Sequence, residues 1–232
     1  MLEERGLPTV VIALVLPQVE KSRPPRALMV PFMLGRPLGE PNDAPFQRRV
    51  LMQALGLLER TDGPVILEDF PDDNPSWFDR IGWAPSVTLN GPLTRLDWQA
   101  ALAGELALVL PGWERFKARF GRTTVGLSGL DVTSWPGFAA DHSVGKPITL
   151  PLHETPALAL RFFVDDIKAL YGEAVQADGD TPSARQIDRW FWRETIAGQM
   201  LLNLRKVAME SPNNGLRTVG GRFFVPTPYL PT

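Results

Sequence analysis

The sequence predicts an α/β fold, with a layered sheet unit at the N-terminus and an extended, mainly helical C-terminal part. Three observations predict it. Thr9 to Leu16 is a continuous run rich in β-branched residues, as a strand covered on both faces requires. A helical stripe then lies between two further short apolar runs, Ala27–Phe32 and Val65–Leu67, so strand and helix alternate. Beyond about Gly91 the apolar residues recur mainly at helical spacing.

The elements follow in order. The N-terminal part reads as strand, loop, strand, helix, strand. Asn42 or Asp43 can cap a helix starting near Pro45, whose missing N–H costs nothing in a first turn. That helix carries Phe46, Val50, Leu51, Ala54, Leu57 and Leu58 on one stripe, and Gly63-Pro64 ends it. Thr94 and Asp97 resemble a capping box ahead of Trp98, Leu102, Leu106 and Val109. Pro111 is expected to open a separate short helix with Trp113, Phe116 and Phe120. Thr155-Pro156 caps another, with Leu160, Phe163, Val164, Ile167 and Leu170 inward. Thr181-Pro182 is expected to start the longest helix, unbroken to about Glu210. Gly121–Leu130 and Arg217–Val225 read as strand or loop. The chain divides into residues 1–92, an α/β unit, and 93–232, a helical extension expected to share its core.

Composition narrows the function. The 232 residues carry a net charge of -2, without the basic stripe of a nucleic-acid surface. Val10–Leu16 is far shorter than the roughly 20 apolar residues of a membrane span. Met1–Arg5 is not the basic start of a signal peptide. A cytoplasmic location is expected, and no membrane partner. There is no cysteine, so thiol chemistry and thiolate-metal binding must come from elsewhere.

Glu20 to Asn42 is the leading site region, because loops at strand ends of an α/β sheet form ligand crevices. Gly35 and Gly39 allow close backbone approach. Arg23, Arg26 and Arg36 can recognise a carboxylate through two N–H bonds each, and the helix end at Asn42 offers amides. Together they suit a small amino-acid-like anion, with Glu20 as an acid, base or amine holder. The alternative is a purely structural Gly/Pro turn with surface ion pairs.

Other candidates carry their own alternatives. Glu68–Asn74 is acidic enough for a hard cation, or is a solvated turn. His142 and His153 are the only histidines, and no metal site is assigned to them. Gly126–Leu130 misses the final glycine of a nucleophile elbow, so Ser128 reads as a turn residue. Glu194 falls on the stripe of Trp190, Ala197, Leu201 and Leu204, where a carboxylate needs pairing or protonation. Of Trp190-Phe191-Trp192, one aromatic is expected at the surface.

Residues 6–58 also carry a resemblance. Gly6-Leu7-Pro8-Thr9-Val10, Glu20-Lys21, Arg23-Pro24-Pro25-Arg26, Pro31-Phe32, Gly35, Pro37-Leu38-Gly39, Pro41-Asn42-Asp43 and Phe46-Gln47 follow in order before the Ala54-Leu55 helix. This stretch resembles the glycine/sarcosine/betaine reductase protein B (selenoprotein B) family, in the portion downstream of its redox centre. The resemblance implies an oxidoreductase that attacks its substrate with a selenol or thiol and cleaves a carbon–nitrogen bond. In that family the attacking residue precedes the G-x-P-T-V strand. Here five residues precede Gly6, so the resemblance implies a second chain bearing Cys or Sec, with this chain completing the pocket. A homo-oligomer is a further possibility. A stand-alone small-anion binding or regulatory protein, and a metal-dependent hydrolase or lyase, are the alternatives.

Overall fold

The first strand, β1 (Val11–Ala13), is shorter than the apolar run containing it. The chain turns at Val15 into a helix, α1 (Leu16–Ser22), where a loop was expected. Pro17 explains the switch: it lies in the first helical turn, where a proline loses no hydrogen bond. Two further strands, β2 (Arg26–Met29) and β3 (Ile66–Asp69), flank the predicted helix, α2 (Ala44–Gly56). Asp43 caps α2, its carboxylate accepting from Phe46 N–H at 3.1 Å. The computed structural model describes residues 2–32, 34–39, 43–72, 79–85, 97–148, 153–178 and 182–230.

The three strands form one parallel sheet in the order β1-β2-β3. Register places Val11, Ala27 and Leu67 in one row and Ala13, Met29 and Asp69 in the next. Alternation sends Leu28 and Val30 to the other face, where they cluster with Phe46, Val50 and Ala54 of α2. The Ala27 face is thinly covered, with Val19 of α1 the helical residue in its cluster. Consequently Val11 and Leu67 remain 43% and 44% exposed at the ends of their row.

Contacts divide the chain into two units, Met1–Asp79 and Arg80–Thr232. Residues 86–96, which include the boundary expected near residue 92, lie outside the described residues. The α-helices among the described residues of the second unit are α3 (Trp98–Phe120), α4 (Trp135–Ser143), α5 (Pro156–Ala174), α6 (Ala184–Glu194), α7 (Ile196–Glu210) and α8 (Asn214–Val219). Its buried residues form one large cluster centred on Trp135, Phe163, Tyr171, Trp190 and Leu201.

Several expectations are corrected here. Pro111 does not open a new helix; it lies inside α3. The buried stripe Leu102, Leu106, Val109, Phe116 runs straight across it. Packing of that stripe outweighs the roughly 3 kcal/mol that an internal proline costs. The predicted long helix is two helices, broken at Thr195. Ser183 caps the first with a full capping box through Gln186. Thr195 caps the second, its hydroxyl accepting from Gly198 N–H at 2.9 Å and donating to the Phe191 carbonyl at 2.6 Å. The corner demands a glycine, because a Cβ on Gly198 would stand 2.2 Å from the Phe191 carbonyl oxygen. Trp190, Phe191 and Trp192 are all buried, so none is the expected surface aromatic. Arg217–Val225 is not a strand but the end of α8 and a π turn over Gly220–Phe224.

Candidate functional site

The C-terminal edge of the parallel sheet is where an α/β unit offers a crevice. The segments leaving β2 and β3 there each carry a phenylalanine, Phe32 and Phe70. Both meet Phe46 of α2, with ring centroids 5.5 to 5.7 Å apart across the triad. Arg36 to Gly39 forms a β-turn against this triad, Gly39 N–H donating to the Arg36 carbonyl at 3.0 Å. Pro37 suits the second position of such a turn. Gly39 has φ +87°, and a Cβ there would lie 2.6 Å from the Phe46 ring. Gly35 has φ +88° with open space around it. Arg36 is half-buried in the turn.

The predicted site residues separate onto two edges of the sheet. Gly35, Arg36 and Gly39 follow β2 and occupy the C-terminal edge. Arg23 ends α1 with left-handed φ of 46° and leads into the opposite, N-terminal edge. Arg26 opens β2 on that same edge. Glu20 is an exposed residue of α1 and not the end of a strand. Asn42 lies outside the described residues.

Arg26 is committed to holding the fold. Its guanidinium donates to Glu3 at 2.9 Å and to the Arg60 carbonyl at 3.3 Å. Glu3 also accepts from Thr9 N–H at 2.5 Å and Thr9 Oγ1 at 3.0 Å. The Thr9 amide foremost, then the Thr9 hydroxyl and Arg26, hold its carboxyl below its ordinary range against some desolvation. The basic residues of this segment thus split between a structural pair at one edge and a turn at the other. The α2 end offers few amides to an anion, because Pro45 has none and Phe46 N–H already bonds Asp43.

The remaining candidates resolve into structural roles. Glu68 accepts from Gln53 at 2.8 Å and Arg60 at 3.0 Å, and Asp72 pairs with Arg49. Asp73 and Asn74 lie outside the described residues. His142 donates from Nδ1 to the Lys146 carbonyl at 2.9 Å, and His153 from Nε2 to the Ser128 carbonyl at 3.1 Å. Among the described residues no three metal-ligating side chains converge. Glu194 is exposed, because the break at Thr195 ends its helix before the inward stripe resumes.

The buried carboxylates of the helical unit are others. Glu105, 4% exposed, accepts from Tyr171 Oη at 2.6 Å, Ile196 N–H at 2.7 Å and Ala197 N–H at 2.9 Å. Burial still outweighs these bonds and pushes its pKa up. The same burial, with Glu105 beside it, pushes the Tyr171 hydroxyl well above its ordinary value. Asp166 accepts from the N–H groups of Gly126, Leu127 and Ser128 at 2.8 to 2.9 Å, and from Ser128 Oγ at 2.5 Å. Glu173, seven residues on, accepts from Trp113, Thr123 and Thr124. Two carboxylates of α5 therefore hold the segment after α3 as a loop. The signal for Glu105 was present in the sequence, since it falls between Leu102 and Leu106 on an otherwise apolar stripe.

No protein-family model, no curated protein and no solved structure matches this chain. Among the described residues no helix is long and apolar enough to cross a membrane.

Proposed function

We propose that the chain is a non-redox subunit of a cytoplasmic reductase complex of the glycine/sarcosine/betaine type. In this reading the turn Leu34–Gly39 receives the carboxylate of a small amino-acid-like anion, with Arg36 as its cationic partner. A second chain carries the thiol or selenol. Its attack on the carbon bearing nitrogen forms a carbon–sulfur or carbon–selenium bond as the carbon–nitrogen bond breaks, the bonding pair leaving with the nitrogen, which departs as a protonated amine.

The observation that carries the reading is a coincidence of place. The stretch resembling the reductase family contains a turn with two positive-φ glycines, at the edge of a parallel sheet where ligands bind. The half-bare row of Val11 and Leu67 supports a protein partner on the other sheet face. Glu20, Arg23 and Arg26 are not part of this pocket.

Affinity purification of the native complex tests the partnership. The expected result is a co-purifying Cys- or Sec-bearing chain, with reductive cleavage of an amino acid only when both chains are present. Full activity of this chain alone would contradict it. Binding of amino acids by the lone chain, without any partner, would favour a stand-alone anion-binding protein.

A further inference from the structure

The helical unit contains a cavity of about 480 Å³ between the end of α4, the start of α5 and the α7–α8 corner. That is within the usual range for small-molecule sites. Its walls are apolar: Ile148, Pro156, Leu160, Leu204, Val207 and Leu216. His142 lines it, 7% exposed.

Local structure fixes how His142 meets the cavity. Helix α4 ends in a Schellman turn, Lys146 N–H bonding the Asp141 carbonyl and Gly145 N–H the His142 carbonyl, both at 3.1 Å. Gly145 supplies the required positive φ of 80°. The turn folds the Lys146 carbonyl back onto His142 Nδ1 at 2.9 Å. Nδ1 therefore carries the proton and Nε2 a bare lone pair. Burial, the largest influence, lowers the His142 pKa against the opposing Lys146 carbonyl and Asp141, which favours that neutral form.

Among the described residues, the side chains of Lys146, Ser211 and Asn213 at the cavity are already bonded within the protein. Asn213 Oδ1 accepts from Gly215 and Leu216 N–H groups, capping α8. Ser211 uses Oγ for Asn213 N–H and its carbonyl for Arg217. Lys146 Nζ pairs with Asp141 at 2.6 Å. Glu210 stands exposed at the rim. Among the described residues Nε2 of His142 is thus a side-chain acceptor without a hydrogen bond at a largely apolar, half-open cavity.

We propose that this cavity binds a small, largely apolar molecule carrying one hydrogen-bond donor, an alcohol or phenol in chemical class, whose O–H is accepted by His142 Nε2. The site is separate from the turn at Leu34–Gly39 and does not depend on the reductase reading.

The test compares 1-naphthol with 1-methylnaphthalene, which has nearly the same shape but no donor. With two histidines in the chain, side-chain ¹⁵N spectra resolve each ring, and a His142→Asn variant assigns them. Saturable movement of the His142 Nε2 signal with 1-naphthol, and none at His153, is expected. One net hydrogen bond of about 1.4 kcal/mol corresponds to roughly tenfold tighter binding of 1-naphthol. In His142→Leu, 1-naphthol should fall to the level of 1-methylnaphthalene, which still binds. Equal binding of both probes to the unsubstituted protein, or no His142 response, would overturn the proposal. The spectra of the unsubstituted protein decide it even if the variants fail to fold.

Discussion

The two units spend their charges differently. Among the described residues the buried carboxylates all belong to the helical unit: Glu105 clamps the start of α7, while Asp166 and Glu173 clamp one loop. Those described in the α/β unit are at least partly exposed, and some pair with arginines, as Asp62 with Arg60 or Asp72 with Arg49. A buried acceptor cannot be lost without stranding its donors, whereas an exposed pair is readily replaced by water. The helical unit is therefore held by specific polar contacts inside an aromatic core. The α/β unit rests on a smaller core around Phe32, Phe46 and Phe70.

The contrast breaks most readily at Glu105. Glu105→Ala strands the Tyr171 hydroxyl and two amides of α7, and should cost about 3–5 kcal/mol in denaturant unfolding. Glu105→Gln keeps an acceptor and should cost less. The pH dependence has a definite sign. A carboxyl whose folded pKa is raised gives its full stabilisation below its unfolded value, and loses it as pH rises through the folded value. The stability of the native protein relative to Glu105→Gln should therefore fall as pH climbs through that range. A rise would show that the three hydrogen bonds outweigh burial.

Asp166→Asn tests the second clamp. Its amide would face donors at one or more of Gly126, Leu127 and Ser128. A loss of about 2–3 kcal/mol is expected, with faster hydrogen exchange at those three amides. Unchanged exchange would mean that the loop is held by other contacts. Thr195→Ala should cost about 1–2 kcal/mol by removing the α7 cap, and the loss should be confined to the α6–α7 corner.

Effects no larger than that of Thr195→Ala are expected in the α/β turn, the smallest of them at Gly35. Gly39→Ala meets both a left-handed φ and the Phe46 ring, and should cost about 1–2 kcal/mol. Gly35→Ala meets open space and should cost about 1 kcal/mol from φ alone. Equal losses at the two sites would show that the Phe46 contact contributes nothing.

The fold class, the three strands and the caps at Asp43 and Thr155 were legible because each rests on local chemistry, whereas α3 is capped by Asp97 itself, the residue expected to close a box from Thr94. Pro111 and Thr195 were not legible. At Pro111 a buried stripe overrides a local breaker, and at Thr195 a hidden acceptor 90 residues away rewards a break that periodicity does not register. The site was legible in part for the same reason. Gly35 and Gly39 mark positive-φ positions that sequence can suggest, but the separation of Arg23 and Arg26 from Arg36 follows from β2, which carries the chain from one end of the sheet to the other between them. The His142 cavity depends on four chain segments, and no local pattern announces it.

The central claim is that the turn at the C-terminal edge holds a small amino-acid-like anion. Backbone amide spectra recorded during titration with glycine and sarcosine test it directly. The account predicts saturable shifts at Leu34, Gly35, Arg36, Leu38 and Gly39, abolished in Arg36→Ala and retained in Arg23→Ala. Shifts that survive Arg36→Ala, or that centre on Arg23 and Arg26, would contradict it.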